Sequence, residues 1–414
     1  MTLPVSIPGH WRSGNIRRFA QMKTGHTPSR SVPEYWENVD IPWFTLADVW
    51  QLREGKQVYL GETANRISLL GLANSAAELL PAGTVVLSRT ASVGFSGIMP
   101  RPMATSQDFW NWVCGPDLLP RYLNYQFKTM MSAFKALNVG STHQTIYQRD
   151  AASLKILVPP ITEQRAIVDY LDRETAKIDT LIAKQEQLIA TLRERRRSVI
   201  ARATGWGSQT RGGWRSLRIS WLFAETASGT TPAPEHILDP SDGSIPWVTT
   251  GELKESLIRG TRKAVSPASV AEYSALKVHP AGSLLLAMYG ATIGRLAILG
   301  IDATSNQACC ALVGPRRVTA EFARYSLMAG RQWLIFDAAG GGQPNINQDK
   351  VRSFRIPVPP IDEQRAITTY LDEQTAKIDA LSAKTEKFIE LAKERRTALI
   401  AAAVTGQIES RASA

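Results

Sequence analysis

Apolar residues recur at alternating spacings of four and three residues in two stretches of this chain, a pattern typical of coiled-coil helices. The first stretch runs from Ile167 to Val199 and the second from Ile367 to Leu399. Between these ends the predicted contact positions are Leu171, Glu174, Ile178, Leu181, Gln185, Leu188, Leu192 and Arg195, and then Leu371, Gln374, Ile378, Leu381, Thr385, Phe388, Ala392 and Arg395. Because polar residues interrupt both seams at matching places, we expect the two helices to pack on each other rather than to be unrelated surface helices.

The two stretches are copies of one sequence, since residues 159–201 and 359–401 are identical at about 26 of 43 positions. A long-range internal repeat of this kind indicates a duplicated architecture. A proline pair marks the start of each copy, an acidic residue follows in the first turn, and no Gly or Pro comes before Gly205 and Gly406. At 1.5 Å per residue, each helix should be about 60 Å long.

The segments outside these helices have a mixed pattern. Apolar runs at 84–88 and 110–113 predict short strands, and residues 120–137 predict a helix. Three anchors of the first segment recur in the second: Gly25-His26-Thr27-Pro28 as Gly229-Thr230-Thr231-Pro232, Ile41-Pro42-Trp43 as Ile245-Pro246-Trp247, and Ala104-Thr105-Ser106-Gln107 as Ala303-Thr304-Ser305-Asn306. These anchors predict one framework shared by two domains, with each tryptophan packed beneath a loop.

The order domain, helix, domain, helix favours antiparallel helices, because parallel ones would require the chain to return about 60 Å through the second domain. We therefore predict an α+β protein with internal pseudo-twofold symmetry. Two mixed α/β domains are separated by two long helices that form an antiparallel coiled coil. The predicted boundaries are 1–156 for the first domain, 157–204 for the first helix, 205–356 for the second domain, 357–406 for the second helix and 407–414 for a tail.

The net charge of +11 is concentrated in the two domains. Residues 1–156 contain 15 Lys and Arg against 10 Asp and Glu, and residues 203–356 contain 16 against 11, so each has an excess of +5. The domains are therefore the parts expected to meet a polyanion. The sequence has no run of eighteen apolar residues and no signal-peptide pattern, so we expect a cytoplasmic protein without membrane contact.

We find no recognisable catalytic motif in the sequence. It lacks a phosphate-binding glycine-rich loop ending in Gly-Lys-Ser/Thr, as well as His-Glu-x-x-His, Cys-x-x-Cys and Gly-x-Ser-x-Gly. The five histidines are scattered, and Cys114, Cys309 and Cys310 have neither a metal-ligand spacing nor a plausible disulfide framework. The expectation is a chain with no catalytic residue and no metal site.

Between the shared anchors, the loops of the two domains carry different side chains. Variable polar loops on a common scaffold suit two modules that recognise different sequences, although drift after duplication is an alternative. Asn, Gln, Arg and Thr side chains can contact base edges in DNA. The candidate DNA-binding residues are Arg89, Ser92, Thr105, Gln107, Ser141, His143 and Gln144 in the first domain, and Tyr289, Thr292, Asn306, Gln307, Gln343, Asn345 and Asn347 in the second.

This combination resembles the specificity subunit of type I restriction-modification systems, over essentially the whole chain. The most specific motif is Val158-Pro159-Pro160-x-x-Glu163-Gln164-Arg165-x-Ile167, which recurs from Val358 to Ile367. The second motif is the pair of sequences Gly-x-Thr-Pro and Ile-Pro-Trp, which occurs in each domain. The resemblance implies that each domain reads one half of a bipartite double-stranded DNA site, and that the helices bind two methyltransferase subunits.

The resemblance further implies that adenine methylation and ATP-dependent cleavage belong to partner chains, namely the methyltransferase and the restriction/translocase subunits. S-adenosylmethionine, ATP and Mg are expected on those subunits, and no cofactor is expected here. We expect Arg195, Arg196, Arg395 and Arg396 to bind a partner, because seam positions hold the helices together and leave the outer faces free. Solvated charge is the alternative for these arginines.

Two other classes of protein stay open at this point. A coiled-coil adaptor whose basic domains bind protein would show no salt-dependent affinity for DNA. A single-chain restriction-methyltransferase would bind S-adenosylmethionine by itself.

Overall fold

The computed structural model describes residues 7–136, 145–206, 213–241, 243–336 and 345–408. The chain divides into two compact units, residues 1–186 with 387–414 and residues 187–386. Each unit contains one mixed domain together with parts of both long helices.

The first unit holds nine strands and four short α-helices among its described residues. The strands are β1 (Arg12–Asn15), β2 (Ala20–Thr24), β3 (Ile41–Phe44), β4 (Asn65–Ile67), β5 (Val85–Ser88), β6 (Ser96–Ile98), β7 (Ala104–Thr105), β8 (Phe109–Cys114) and β9 (Lys155–Val158). The helices are α1 (Leu69–Ala73), α2 (Pro120–Thr129), α3 (Met131–Ala136) and α4 (Gln148–Ala152), with 3₁₀ turns at Ile16–Arg18, Pro33–Trp36 and Leu46–Leu52. The two predicted strands are confirmed as β5 and β8, and the helix predicted from residue 120 is divided into α2 and α3.

The first long helix, α5 (Ile161–Ala203), begins in the first unit and ends in the second. The strands of the second unit are β10 (Arg215–Arg218), β11 (Phe223–Ser228), β12 (Ile237–Leu238), β13 (Ile245–Val248), β14 (Leu257–Ile258), β15 (Lys263–Val265), β16 (Leu284–Ala287), β17 (Leu296–Leu299), β18 (Thr304–Ser305), β19 (Cys309–Pro315) and β20 (Arg355–Val358). Its helices are α6 (Ile219–Leu222), α7 (Pro267–Glu272), α8 (Ala320–Phe336) and α9 (Gln348–Ser353), with 3₁₀ turns at Pro234–His236 and Thr250–Glu252. The second long helix is α10 (Ile361–Val404).

The sheets of the two domains follow one plan. The first domain has an antiparallel sheet in the order β2–β8–β5–β6, a sheet β4–β3–β7 in which β3 and β7 are parallel, and the antiparallel pair β1–β9. The second domain has the orders β11–β19–β16–β17–β14 and β12–β15–β13–β18, with β13 and β18 parallel, and the antiparallel pair β10–β20. The duplication read from the sequence is therefore present in the strand topology.

The main sheets are buried on both faces, which explains their continuous apolar runs. Successive side chains of a strand point to opposite faces. Val85 and Leu87 accordingly join the cluster beneath α2, whereas Val86 joins a second cluster with Phe44 and Phe109 on the other face. Burying each such side chain contributes about 1.5–3 kcal/mol.

The two long helices are antiparallel in each unit, as predicted. In the first unit, Ile167 near the start of α5 shares a core cluster with Ile400 and Val404 near the end of α10. In the second unit, Ile200 near the end of α5 clusters with Leu371 near the start of α10. A helix whose start meets the other helix's end runs in the opposite direction.

The predicted seam is correct only in part, since Ile167 is buried near the start of α5 whereas Leu181 and Leu188 are exposed. Leu171, Ile178 and Leu192 are buried, as predicted, but the exposed fractions of Leu181 and Leu381 are 46% and 44%. The buried side chains at the intervening positions lie one residue further along: Thr175, Ile182 and Ile189 on α5, and Thr375 and Ile389 on α10. Apolar residues occupy both neighbouring stripes, so hydrophobicity alone did not identify the inward one.

A buried glutamine fastens each domain to the start of a long helix. Oε1 of Gln164 accepts a hydrogen bond from the Leu119 backbone N–H at 2.8 Å, and its Nε2 donates to the carbonyls of Asp117 and Pro159 at 2.8 and 2.9 Å. Gln364 makes the same three bonds, to the Thr319 N–H and to carbonyls of residues 317 and 359. The Pro-Pro-x-x-Glu-Gln motif therefore forms a joint between domain and helix.

Charged groups form a second contact between the first domain and the helices. The Arg121 guanidinium lies 2.5 Å from the carboxylate of Asp172 on α5, and the Tyr125 hydroxyl donates to the same carboxylate. Nearby, Nζ of Lys128 donates to the Gly55 carbonyl at 2.9 Å. Burial lowers the pKa of Lys128 to about 8, and the positive charges of Arg396 and Arg121 act in the same direction.

Candidate nucleic-acid interface

In each domain, a Gly-x-Thr-Pro loop lies directly on the end of a short strand. A Cβ atom at Gly25 would be 2.1 Å from the Thr105 carbonyl oxygen, and one at Gly229 would be 1.7 Å from the Ser305 carbonyl oxygen. Only glycine permits so close an approach of two backbones. The backbone N–H of the next residue, His26 or Thr230, then donates to that same carbonyl at 3.0 or 3.1 Å.

A buried tryptophan supports each loop from below. Nε1 of Trp43 donates to the His26 carbonyl at 3.2 Å, and Nε1 of Trp247 donates to the Thr230 carbonyl, also at 3.2 Å. The exposed fractions of the two tryptophans are 2% and 5%. The prediction that they pack beneath the loop is confirmed.

The threonine of each loop bonds to an exposed glutamine. The Thr27 hydroxyl donates to Oε1 of Gln107 at 2.6 Å, and the Thr231 hydroxyl donates to Oε1 of Gln307. Phe44 pairs with Thr105 and Val248 pairs with Ser305 in the parallel ladders, so Gln107 and Gln307 are structural equivalents. The match of residues 104–107 with 303–306 in the sequence was therefore shifted by one residue. It followed the identical Ala-Thr-Ser sequences, whereas the strand register aligns residue 105 with residue 305.

In the first domain, the loop after β5 is held by Asp108. The Thr90 hydroxyl donates to Oδ1 of Asp108 at 2.6 Å, and the Ser106 hydroxyl donates to Oδ2 at 2.8 Å. The Arg89 backbone N–H donates to the Asp108 carbonyl at 2.9 Å. Sequence reasoning missed Asp108, since nothing in its local sequence shows that it joins segments so far apart.

The guanidinium of Arg89 lies over the ring of Trp110, 4.5 Å from the ring centroid. Ser92 follows two residues after Thr90, in the turn where Ala91 has a positive φ of 53°. Both side chains are partly exposed, so this loop presents one cation and one hydroxyl beside Gln107 and its anchor.

The equivalent loop of the second domain has the same backbone frame and different side chains. The Met288 N–H donates to the Ala308 carbonyl at 2.8 Å, as Arg89 does to Asp108, but Ala308 supplies no carboxylate. Gly290, with φ of 79°, takes the place of Ala91. The loop carries Tyr289, which packs partly against the core, and Thr292, which is partly exposed.

The segment that follows the domain helix comes to the same place in both domains. The Ile146 N–H donates to the Arg89 carbonyl, and the Ile346 N–H donates to the Met288 carbonyl, both at 2.8 Å. Four candidates from this segment, Ser141, His143, Gln144 and Gln343, lie outside the described residues.

Three further candidates have local structural partners. Thr105 is 1% exposed, and its hydroxyl accepts a hydrogen bond from Nδ2 of Asn111 at 2.8 Å, so its side chain faces the interior. Oδ1 of Asn347 caps α9 by accepting from the Lys350 N–H at 2.9 Å. Asn306 is partly buried, with its backbone N–H bonded to the Val248 carbonyl, whereas Asn345 is exposed.

The four arginines on the helices fall into two groups. Arg195 and Arg395 are exposed. Arg196 instead forms an ion pair with Asp379 at 3.1 Å, and Arg396 forms one with Asp179 at 3.1 Å. The outer-face expectation was therefore wrong for Arg196 and Arg396, which lie seven residues after the buried Ile189 and Ile389 and so on the same inward stripe.

Within the described part of the chain, no group of three or more His, Cys, Asp or Glu side chains could hold a metal ion. No helix there is both long and apolar enough to cross a membrane. Burial raises the pKa of Cys114, Cys309 and Cys310 to about 12, and all three thiols are free.

The fold is a duplicated one, in which each unit combines a mixed domain with parts of two long helices. Residues 8–190 and 213–391 match the type I restriction modification DNA specificity domain, and the chain belongs to that family of specificity subunits. The resemblance seen in the sequence is thereby confirmed.

Relatives in this family are distant in sequence. The specificity subunit of the type I restriction enzyme MjaIX from Methanocaldococcus jannaschii is 29% identical over 167 residues, which cover 40% of this chain and 38% of that subunit. The EcoR124I/EcoR124II specificity subunit from Escherichia coli is 24% identical over 286 residues, covering 66% and 67% of the two chains.

Two solved structures share the fold. One is a chain from a study of complex assembly and conformational transition in the type I R-M system, with a TM-score of 0.80, 16% identity and coverage of 98% of this chain and 100% of that chain. The other is the HsdS subunit from Thermoanaerobacter tengcongensis, with a TM-score of 0.58, 15% identity and coverage of 98% and 99%.

Proposed function

We propose that this specificity subunit binds double-stranded DNA and that each domain reads one half of a bipartite site. The observation that carries the proposal is the pairing of an identical loop scaffold with different side chains. The glycine contact, the tryptophan support and the threonine–glutamine bond recur in both domains, whereas Arg89 in one is replaced by Met288 in the other. Specificity in proteins commonly resides in variable loops on a rigid support.

Arg89 suits direct recognition of a base in the first half-site. Arginine binds O6 and N7 of guanine with two hydrogen bonds in the major groove. Nε of Arg89 is buried without a hydrogen-bond partner among the described residues, and stacking on Trp110 limits where the guanidinium can point. A side chain held in this way can discriminate between bases at a fixed position.

The charge of each domain supports binding to a polyanion. Each has an excess of +5, and the binding constant of a protein that neutralises phosphates falls with salt, with a log–log slope of about −0.9 per phosphate. We therefore expect the affinity of the assembled complex for DNA to fall steeply as salt rises.

We further propose that the exposed apolar stripe of the long helices binds the methyltransferase subunits. Its members on the two helices are Leu181, Leu188, Leu381 and Phe388, each more than a third exposed. The two side chains on each helix are seven residues apart and therefore lie on one helix face. Exposed apolar surface on one face of a helix marks a site of protein association. Adenine methylation, ATP hydrolysis and DNA cleavage would then reside on methyltransferase and restriction subunits that carry S-adenosylmethionine, ATP and Mg²⁺, so this chain would be a non-catalytic subunit.

Co-expression with the methyltransferase subunit, followed by mapping of methylated adenines in the host genome, tests the proposal. The substitutions Arg89→Met and Thr292→Ala each remove a partly exposed polar side chain from the loop of one domain. We expect each to change the consensus of one half-site and to leave the other half-site unaltered. A consensus changed in both halves would contradict the modular assignment, and a complex without salt-dependent DNA affinity would favour an adaptor.

A further inference from the structure

Among the described residues, both candidate interfaces contain an exposed glutamine bonded to the threonine of the Gly-x-Thr-Pro loop. Gln107 and Gln307 occupy equivalent positions, two residues after the end of β7 and of β18. Each is bonded through Oε1 to the threonine of its Gly-x-Thr-Pro loop. The loops beside the two pairs differ, since the Arg89 N–H donates to the carbonyl next to Gln107, whereas the Met288 N–H donates to the carbonyl next to Gln307.

Each pair is held rigidly by groups that differ little between the domains. The threonine is fixed by a glycine contact on one side, by a buried tryptophan below and by a buried proline, Pro28 or Pro232, after it. The glutamine then receives the threonine hydroxyl. Two domains that diverged elsewhere thus keep an exposed amide in one orientation.

The bond to threonine uses one of the two lone pairs of Oε1 and holds the amide in one orientation. Oε1 accepts from the hydroxyl, while Nε2 of neither glutamine donates to any group among the described residues. A glutamine that reads adenine offers Oε1 to N6–H and Nε2 to N7, and the same pair in both domains would then select the same base in both half-sites. A glutamine that contacts a phosphate needs only a donor, and phosphate contacts set the register of a protein on DNA without reading sequence.

We propose that Gln107 and Gln307 each donate Nε2–H to a phosphate oxygen of the DNA backbone, one in each half-site. The proposal rests on the DNA-binding function proposed above and assigns these residues to a feature that all half-sites share. It replaces the expectation that they read base edges. The variable loops beside each pair would then meet the bases in a fixed register.

Substitution by glutamate separates this role from the alternatives. In Gln107→Glu the carboxylate still accepts the Thr27 hydroxyl, but it places a negative charge where a phosphate would lie. In Gln107→Ala both the donor and the threonine bond are lost. The same changes at Gln307 form a matched set in the second domain.

Binding of the complete complex would be measured on a cognate duplex and on an unrelated duplex of equal length. We expect Gln107→Ala to weaken both affinities by the same factor, about three- to tenfold for one hydrogen bond. Gln107→Glu should weaken both affinities further. The methylated consensus should stay unchanged in both variants.

A scan of the cognate duplex with single methylphosphonate linkages locates the contact. One linkage in the first half-site should weaken binding of the wild-type complex and cause no further loss with Gln107→Ala. The corresponding linkage in the second half-site should behave in this way with Gln307→Ala only.

Three results would overturn the proposal while DNA recognition itself stands. In the first, the Gln107→Glu complex binds DNA as tightly as wild type. In the second, the methylated consensus of a variant changes at one base. In the third, every methylphosphonate linkage weakens the Gln107→Ala complex as much as it weakens wild type. The first would show that the pair only tethers the loop, and the second that it reads a base. If the wild-type complex does not bind DNA, this proposal and the proposed function fail together.

Discussion

Nε of Arg396 lies 3.1 Å from Oδ1 of Asp179, so an ion pair joins α10 to α5 in the first unit. Arg196 and Asp379 make the same contact at 3.1 Å in the second unit, with both partners displaced by 200 residues in sequence. Arg396 also donates to the Gly55 carbonyl at 2.8 Å. The guanidinium of Arg396 therefore joins its own helix, α10, to α5 and to the first domain.

Replacing Arg396 with glutamate should destabilise the protein, because two carboxylates would then face each other in a half-buried site. We expect the free energy of unfolding to fall by about 2 kcal/mol, below the cost of breaking a fully buried pair. Arg395→Glu places the same charge at an exposed neighbour and should change stability by less than about 0.5 kcal/mol. Urea denaturation of the full-length chain would measure both. Equal effects would show that the ion pair contributes nothing specific.

Lys128 should make stability depend on pH in the alkaline range. Its pKa is lowered to about 8 in the folded protein, from the ordinary 10.5, chiefly by burial. Between these values the unfolded chain binds the proton and the folded chain does not, so the free energy of unfolding should rise with pH. This pKa difference corresponds to a rise of about 3 kcal/mol in the free energy of unfolding between pH 8 and pH 10.5.

The variant Lys128→Met provides the comparison, since methionine occupies position 328 in the second domain. Denaturant unfolding at several pH values from 7 to 10.5 should show the rise in wild type and its absence in the variant. If the free energy of unfolding changed with pH by the same amount in wild type and variant, Lys128 would not be the source of the pH dependence.

Much of the architecture could be predicted from repetition. The proline pairs and the unbroken spacing between Ile167 and Val199 determine where the long helices begin and that they extend without a break. The chain order then leaves antiparallel packing as the short connection. These inferences succeed because they depend on local sequence and on chain length.

Predictions that required knowledge of a packing partner were less successful. Leu181 and Ile182 are equally apolar, yet only Ile182 is buried. Asp108 carries no local signal, because its bonds to Thr90 and to Arg89 depend on the placement of separate strands. The same limit applies to Thr105, whose hydroxyl is paired with Asn111 inside the domain.

Leu381 provides a test of the exposed helix stripe as a partner surface. It is 44% exposed, so Leu381→Asp should leave the free energy of unfolding within about 0.5 kcal/mol of wild type. If the methyltransferase subunit covers this side chain, the substitution should weaken subunit binding at least about tenfold. Ala383→Asp, at an exposed position two residues away, is the control. Calorimetric titration with the methyltransferase subunit would distinguish them, and indistinguishable affinities would exclude the stripe at this position.

Gln164 is fully buried, and it links the first domain to the start of α5 through three hydrogen bonds. Leucine has a similar size but no polar atoms, so Gln164→Leu would leave the Leu119 N–H and the Asp117 carbonyl without their partner. An unsatisfied buried group costs about 1–3 kcal/mol, and we expect a loss of about 3 kcal/mol in the first unit. Gln364→Leu should cause a similar loss in the second unit, where the Thr319 N–H loses its acceptor.

Hydrogen exchange reports the two joints separately, because each glutamine accepts from one identifiable backbone amide. Gln164→Leu should speed exchange at Leu119 and leave Thr319 unchanged, whereas Gln364→Leu should do the reverse. Gln187→Leu changes an exposed glutamine on α5 and should affect neither amide. If Gln164→Leu left exchange at Leu119 as slow as in wild type, the repeated motif would not act as the fastening between domain and helix. Faster exchange at both amides would instead show that one substitution disturbs the whole chain, since each hydrogen bond lies within its own unit.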